Sequence, residues 1–276
     1  MKYTLSVDGG EPLICLADQV VYAQIPYWCG GASKALALSV MRPRQYYPYD
    51  PAGGGLPAIV FFCGGAFSKM DRNVQLPELV YYAKRGYAVF SVEYATDRIY
   101  TVMDQVIQCK RAIRFIRAHA AAFDIDPACL AVLGDSAGGY LALAAAVSGD
   151  DPAYRAGKDL DQSDAVQAAA TLFPVTTRAM AANIPAFPDA NTCRLELLEP
   201  ADHLSDKTPP ILTLHGTDDH TVAAAGSVAF HEALDRAKVP NALYLVEGAD
   251  HGDALFAQTC VKEIILRFLD DALQRR

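Results

Sequence analysis

The sequence predicts an α/β fold: a mostly parallel central sheet of about eight strands, with helices on both faces. Short apolar segments alternate with longer segments of helical apolar spacing through most of the chain. Such alternation is typical of parallel sheets, because a parallel crossover needs enough residues for a helix. Of the 276 residues, 52% are hydrophobic and 20% are charged, which suits one large buried core. We therefore expect residues 1–276 to form a single domain.

The N-terminal part breaks the alternation and predicts an antiparallel edge of the sheet. Residues 19–25 and 36–41 both have the composition of strands, and only a turn-rich segment, 27–31, separates them. Strands joined by so short a connection pair antiparallel. A proline- and glycine-rich loop at 46–57 then leads into the parallel part of the sheet.

The remaining elements follow from apolar runs and their spacing. Strands are predicted at 58–63, 87–94, 130–133, 166–175, 210–214 and 242–247. Helices are predicted at 73–85, 101–122, from Ser136 to about residue 147, and at 222–237 and 259–273. The basic residues of the second helix (Lys110, Arg111, Arg114 and Arg117) are interpreted as a solvated face, and 149–164 as a polar surface loop. The irregular segment 176–207 is predicted to be a small lid or binding segment.

Charge and cysteine content exclude several classes of partner. The net charge of −8 argues against nucleic acid and against a basic membrane-binding patch. We expect no secretory signal and no membrane-spanning run, hence a cytoplasmic protein with reduced thiols. The seven scattered cysteines have no zinc-ligand spacing, so neither a metal nor another cofactor is expected. The sequence leaves open whether the protein forms a homo-oligomer.

The strongest local signal is a serine between two glycines, Gly134-Asp135-Ser136-Ala137-Gly138, directly after an apolar strand and before a helix. This pattern is typical of a nucleophile elbow, a tight turn whose positions two before and two after the serine must be nearly free of side chain. The helix N-terminus would then aim unpaired N–H groups at a developing oxyanion. The alternative is an ordinary glycine-rich turn, because short patterns often arise by coincidence.

Three further unusual sequences follow predicted strands. They are Gly64-Gly65, Asp218-Asp219 and His251. Ligands collect at the carboxyl ends of the strands in open α/β sheets, so we expect these residues to meet Ser136 at one edge. Coincidence accounts for one such sequence easily and for all of them poorly.

From about Leu56 to the C-terminus, GDSAGG, HGTDD and GADHG occur in the order Ser, Asp, His. In these motifs the chain resembles the α/β-hydrolase fold, and within it the small carboxylesterases of the hormone-sensitive-lipase-like and acetyl esterase group. The resemblance implies Ser136 as nucleophile, His251 as general base and Asp219 as the acid. The family pattern HG-x-x-D selects Asp219, with Asp218 as the alternative.

These roles agree with elementary chemistry. A serine hydroxyl is a weak nucleophile unless a base removes its proton, and imidazole, with an ordinary pKa of about 6.5, can take that proton and return it. A carboxylate on the other ring nitrogen holds the tautomer and stabilises the imidazolium.

The resemblance also implies an oxyanion hole made by the N–H groups of Gly64, Gly65 and Ala137. The family's loop usually begins with histidine and carries a third glycine, whereas this chain has Cys63 and Ala66. Backbone donors survive both changes, but the bracing of the loop is put in question.

Phe67, Ser68 and Tyr140 are candidate substrate-binding residues because they neighbour the motifs; packing is the alternative for each. We expect a metal-free serine ester hydrolase that acts through an acyl-enzyme on small esters with short acyl chains, such as acetylated sugars or small aryl esters. Two other readings stay open: an amidase or peptidase of the prolyl-peptidase type, and a non-catalytic ligand-binding protein of the same fold.

Overall fold

The computed structural model describes residues 1–7, 10–27, 30–44, 55–97, 100–177, 180 and 198–274. In this part of the chain eight strands form one sheet: β1 (Leu13–Tyr27), β2 (Ala32–Arg44), β3 (Leu56–Phe62), β4 (Ala88–Val92), β5 (Ile125–Asp135), β6 (Ala168–Leu172), β7 (Ile211–Gly216) and β8 (Asn241–Val246). The α-helices are α1 (Leu76–Ala83), α2 (Val102–Ala118), α3 (Ala120–Phe123), α4 (Ser136–Val147), α5 (Ala225–Arg236) and α6 (Thr259–Ala272). Short 3₁₀ helices lie at Pro152–Tyr154, Pro200–His203 and Ala254–Ala257.

The strand order is β1-β2-β4-β3-β5-β6-β7-β8. β1 pairs antiparallel with β2 and β2 with β4, and all other neighbouring pairs are parallel. The predicted antiparallel N-terminal edge and mostly parallel sheet are therefore confirmed. β5 is longer than predicted, because its pairing with β3 reaches back to Ile125 beside Leu56. Within the described ranges, no helix combines the length and apolar character that crossing a bilayer requires.

Apolar side chains of the central strands point alternately to two cores, one on each face of the sheet. Phe62 and Val132 belong to the core covered by α2 and α4. Phe61 and Leu133 belong to the core covered by α1 and α6. Every residue of α4 after Ser136 is buried, which explains why this helix is built from alanine, glycine and leucine without a polar face.

The predicted solvated face of α2 is wrong for Lys110 and Arg114, whose side chains are fully buried. Both contact the equally buried Asp164, at 3.0 Å from Lys110 Nζ and 2.7 Å from Arg114 Nη1. Arg155 Nε lies 3.4 Å from the same carboxylate. The segment 149–164 is therefore more than a polar surface loop, because it covers α2 and carries the counter-ion for two buried cations.

Asp164→Asn tests whether this cluster depends on its acid. The substitution leaves Lys110 and Arg114 buried without their counter-ion, and breaking a buried pair typically costs about 3–5 kcal/mol. We expect a loss of that order in the free energy of unfolding, measured by urea titration. Asp161→Asn, an exposed acid in the same segment, should stay within about 0.5 kcal/mol of wild type. Equal stability of the two variants would show that Asp164 does not neutralise the cluster.

Candidate active site

The turn between β5 and α4 has the geometry of a nucleophile elbow. Ser136 has a φ of +52°, a left-handed conformation that non-glycine residues rarely adopt. A Cβ atom on Gly134 would lie 2.3 Å from the carbonyl oxygen of Gly138, and one on Gly138 would lie 2.0 Å from that of Phe62. Neither position has room for a side chain, so both glycines are required by close backbone contact.

The structure brings Ser136, His251 and Asp219 into one hydrogen-bonded chain. His251 Nε2 lies 2.8 Å from Ser136 Oγ, and His251 Nδ1 lies 2.8 Å from Asp219 Oδ2. A carboxylate can only accept, so Nδ1 carries the proton and Nε2 is left to accept from the serine hydroxyl. Asp218 does not take part: it is exposed and accepts from the Thr217 hydroxyl.

Asp219 is held by several donors. Its Oδ1 accepts from the N–H groups of Thr221 and Val222 at 2.9 and 2.7 Å, and His215 Nε2 lies 3.2 Å from its Oδ2. Burial raises the pKa of Asp219, but hydrogen bonds from His215, His251 and Val222 outweigh it and hold that pKa well below its usual range. Asp219 is therefore ionised at neutral pH and can stabilise a positively charged His251.

His215 is fully buried beneath this loop, where it bonds Ser227 Oγ and the carbonyl oxygen of Val222 at 2.7 and 2.8 Å. It shapes the loop through these two bonds. Asp250 supports the histidine loop, because its Oδ1 accepts from the N–H groups of His251 and His220. The ring of His220 itself is exposed.

The loop after β3 is braced although Cys63 and Ala66 replace the family's histidine and third glycine. Tyr94 donates its hydroxyl to the carbonyl oxygen of Cys63 at 2.6 Å, and Gln105 donates its amide to that of Phe67 at 2.7 Å. Ala66 and Phe67 have positive φ values of 52° and 58°. These bonds hold the loop in a conformation that would otherwise favour glycine.

The predicted oxyanion hole is corrected at Gly64, whose N–H is not a free donor. Its N–H donates to Asp135 Oδ1 at 2.9 Å and is already engaged. Gly65 must be glycine, because a Cβ there would lie 1.5 Å from the carbonyl oxygen of Lys69. The N–H of Ala137 lies in the first turn of α4, where no intrahelical acceptor exists. Gly65 and Ala137 therefore remain the candidate donors, and the sequence reasoning missed Asp135, the acid directly before the serine.

Cys63 is buried, and burial, reinforced by the charges of Asp135 and Asp71, raises the pKa of its thiol to about 12. It stays a neutral thiol and is not a second nucleophile. Among the described residues, no group of three histidine, cysteine or acidic side chains is placed to hold a metal ion.

Above Ser136 lies a catalytic pocket of about 410 Å³. Ser136, His251, Gly65 and Ser68 line it, and a role of Ser68 in substrate binding stays a prediction. Phe173, Lys69 and Thr221, which the sequence did not single out, also line it.

Phe67 and Tyr140, by contrast, are fully buried and pack edge to face with ring centroids 5.5 Å apart. Tyr140 also donates its hydroxyl to the carbonyl oxygen of Leu198 at 2.6 Å. Their assignment as pocket residues is wrong, because both side chains fill the core beneath the loops. Most of the predicted lid segment 176–207 lies outside the described residues, so that prediction stands as it was.

Comparison with known proteins assigns the family. The BD-FAE family model matches residues 46–234, more than half of the chain. The chain belongs to the BD-FAE family. Esterase LipQ of Mycobacterium tuberculosis is 28% identical over 273 residues, which cover 92% of this chain and 63% of LipQ. Endo-1,4-beta-xylanase B of Butyrivibrio fibrisolvens is 28% identical over 197 residues, covering 68% of this chain and 31% of that protein. This BD-FAE chain thus spans less than two thirds of these curated relatives.

The fold is shared with esterase 2 of Thermogutta terrifontis. The native structure of that enzyme has a TM-score of 0.75 and 28% identity, covering 93% of this chain and 92% of that one. A second structure, with the same TM-score and identity, shows that esterase phosphorylated by paraoxon. This likeness confirms the predicted α/β-hydrolase fold for the BD-FAE chain.

Asp135 is the site carboxyl whose pKa moves most toward neutrality. Burial raises its pKa to about 6, against the opposing hydrogen bond from the Gly64 N–H. A raised pKa makes the folded protein bind a proton that the unfolded chain has already lost. The contribution of this group to stability is therefore full below about pH 4 and is lost as the pH rises through about 6.

Asp135→Asn removes this titration and keeps an oxygen that can accept from Gly64. Between about pH 5 and pH 7, we expect wild type to lose about 1 kcal/mol of unfolding free energy relative to the variant. Urea titrations of both proteins across that range measure the difference. Stability curves that run parallel would mean that Asp135 titrates near its ordinary value.

Proposed function

We propose that this BD-FAE family protein is a serine carboxylic ester hydrolase that acts on small esters with short acyl chains. The observation that carries the proposal is the continuous hydrogen-bonded chain from Ser136 through His251 to the buried, ionised Asp219. At Ser136, this chain of hydrogen bonds meets a pocket next to two backbone N–H donors, those of Gly65 and Ala137. Together they supply a nucleophile, a base and a place for negative charge.

In the first half of the reaction, Ser136 Oγ attacks the ester carbonyl carbon while His251 Nε2 takes its proton. The carbonyl oxygen becomes an oxyanion, which the N–H groups of Gly65 and Ala137 stabilise. Asp219 stabilises the imidazolium. Collapse of the tetrahedral intermediate breaks the bond to the alcohol oxygen, which receives the proton from His251 and leaves.

In the second half, water attacks the acyl-enzyme and His251 again serves as base. The second tetrahedral intermediate collapses to the free acid, and the proton returns to Ser136 Oγ. Each half therefore begins and ends with a neutral His251, and the net reaction is ester plus water to acid plus alcohol.

The size of the substrate is supported by the pocket and by the relatives. A volume of about 410 Å³ suits a small ester better than a long acyl chain. Thermogutta terrifontis esterase 2 has been solved with propionate and with butyrate bound, both short carboxylates. Acetylated sugars and small aryl esters are the two candidate substrate classes. The similarity to xylanase B supports the acetylated sugars.

Ser136→Ala tests the nucleophile. Loss of the serine removes the acyl-enzyme route, and we expect kcat for 4-nitrophenyl acetate to fall at least about 10⁴-fold. Ser68→Ala, a serine that lines the same pocket, should keep kcat within about 10-fold of wild type. Paraoxon should add a phosphoryl group to wild type and Ser68→Ala, but not to Ser136→Ala, as read by intact mass.

Lengthening the acyl chain of the 4-nitrophenyl ester from acetyl to decanoyl should lower kcat/KM of the wild type. The opposite trend would contradict the short-acyl assignment.

Asp219→Asn and Asp218→Asn form a matched pair. An amide at position 219 can donate to His251 and favours the wrong tautomer, so kcat should fall about 10⁴-fold with little change in KM. The exposed side chain of Asp218 bonds only Thr217 among the hydrogen bonds described, and its replacement should leave kcat within about two-fold. Circular dichroism confirms that both variants are folded. A larger loss of kcat for Asp218→Asn than for Asp219→Asn would show that Asp218, and not Asp219, is the acid.

A further inference from the structure

A second cavity of about 270 Å³ lies beside the catalytic pocket, between the sheet and helices α1 and α6. Three residues line both: Asp135, Phe173 and Gly252. We call this second space the rear cavity. It opens to the surface, since Gly252 and Ala254 of its lining are exposed.

The rear cavity has a buried apolar part and a half-exposed polar part. The apolar part is formed by Phe61, Leu79, Tyr82, Leu133, Phe256 and Ile265. The polar part is formed by Gln75, Glu78, Asp253 and Lys262. An apolar cavity of about 150 Å³ is large enough to bind benzene, so the rear cavity can hold a single ring with a short substituent. The rings of its walls offer edge-to-face contacts, which an aromatic ligand can use and an aliphatic one cannot.

Phe173 forms the partition between the two spaces. Its ring packs edge to face against His251 on one side and Phe256 on the other, with centroid distances of 4.8 and 4.7 Å. Its backbone has a φ of +37°, which is rare for a bulky residue. Strained backbone of this kind concentrates at ligand sites, where the surrounding structure holds it in place.

The position of the rear cavity selects one side of the ester. His251 returns its proton to the leaving alcohol, so the alcohol part begins next to the imidazole. Phe173 packs on that imidazole, and Gly252 is the next residue along the chain. Among the described residues that line the catalytic pocket, those from Gly64 to Lys69 do not reach the rear cavity. The rear cavity therefore adjoins the leaving-group side through Phe173 and Gly252, and it meets the oxyanion loop only through Asp135, which accepts from the Gly64 N–H.

We propose that the rear cavity is a subsite for the alcohol part of the ester, that it takes a single aromatic ring, and that Phe173 separates this subsite from Ser136. The proposal rests on the ester hydrolysis proposed above and narrows its substrate class to esters of small aromatic alcohols. The proposal requires the side chain of Phe173 to turn aside when one ester occupies both spaces.

Two isomeric esters test which side carries the ring. Benzyl acetate has its ring on the alcohol, methyl phenylacetate has it on the acid, and methyl acetate has none. Wild type should show a higher kcat/KM for benzyl acetate than for methyl phenylacetate. Ala257→Trp places an indole in the rear cavity, since Ala257 lines it. That variant should lose at least about 10-fold in kcat/KM on benzyl acetate and stay within about two-fold on the other two esters.

Two controls keep the result interpretable. Gln258→Trp adds the same ring at the neighbouring exposed position and should leave all three esters unchanged. Leu79→Phe fills the rear cavity from α1, so it should repeat the selective loss if Ala257→Trp does not fold. Equal losses on the two isomers, or a loss on methyl phenylacetate alone, would overturn the proposal.

A binding measurement separates this proposal from the function it rests on. Benzyl alcohol should bind to the inactive Ser136→Ala protein, with NMR contacts to Phe256 and Phe173, and Ala257→Trp should abolish that binding. Binding without any benzyl acetate preference would make the cavity an effector site and overturn the subsite. If wild type hydrolyses none of these esters and 4-nitrophenyl acetate is also untouched, the proposed hydrolase function fails instead.

Discussion

The backbone contact between α4 and the end of β3 is the constraint on which the rest of the site depends. The place where a side chain on Gly138 would stand is already occupied by the carbonyl group of Phe62. This contact seats the helix on the sheet, holds Ser136 at a positive φ and brings Asp135 within reach of the Gly64 N–H. The oxyanion loop and the nucleophile are therefore positioned by one another and not separately.

Two buried carboxylates serve this site in opposite electrostatic environments. Asp219 has donors on both oxygens, from backbone N–H groups and two histidines, and these more than offset its desolvation. Asp135 has chiefly the Gly64 N–H, which does not offset its burial. Asp219 is therefore committed to the ionised form that the imidazolium needs, whereas Asp135 titrates close to neutrality and couples the loop to pH.

The sequence predicted the features that local pattern determines. Strand ends, the elbow and the spacing of Asp219 and His251 are each legible within a few residues, and the sheet then brings them together. The errors concern packing between distant segments. The burial of Lys110 depends on Asp164, 54 residues away, and the engagement of Gly64 depends on Asp135, which is 71 residues away. Neither the charge of a residue nor its position in the sequence indicates such a distant partner.

Phe173 shows how the sheet itself can store strain beside a reactive site. Its N–H donates to the carbonyl oxygen of Leu214 at 2.7 Å, and two residues later Val175 donates to that of Ser136 at 3.3 Å. The chain leaving β6 is thus fixed at both ends, to β7 and to the elbow, so the turn between them falls on Phe173. Backbone held this firmly can maintain an unfavourable φ. The ring above it packs between His251 and Phe256. A backbone fixed at both ends and a ring packed on two sides together keep Phe173 in place between the two cavities.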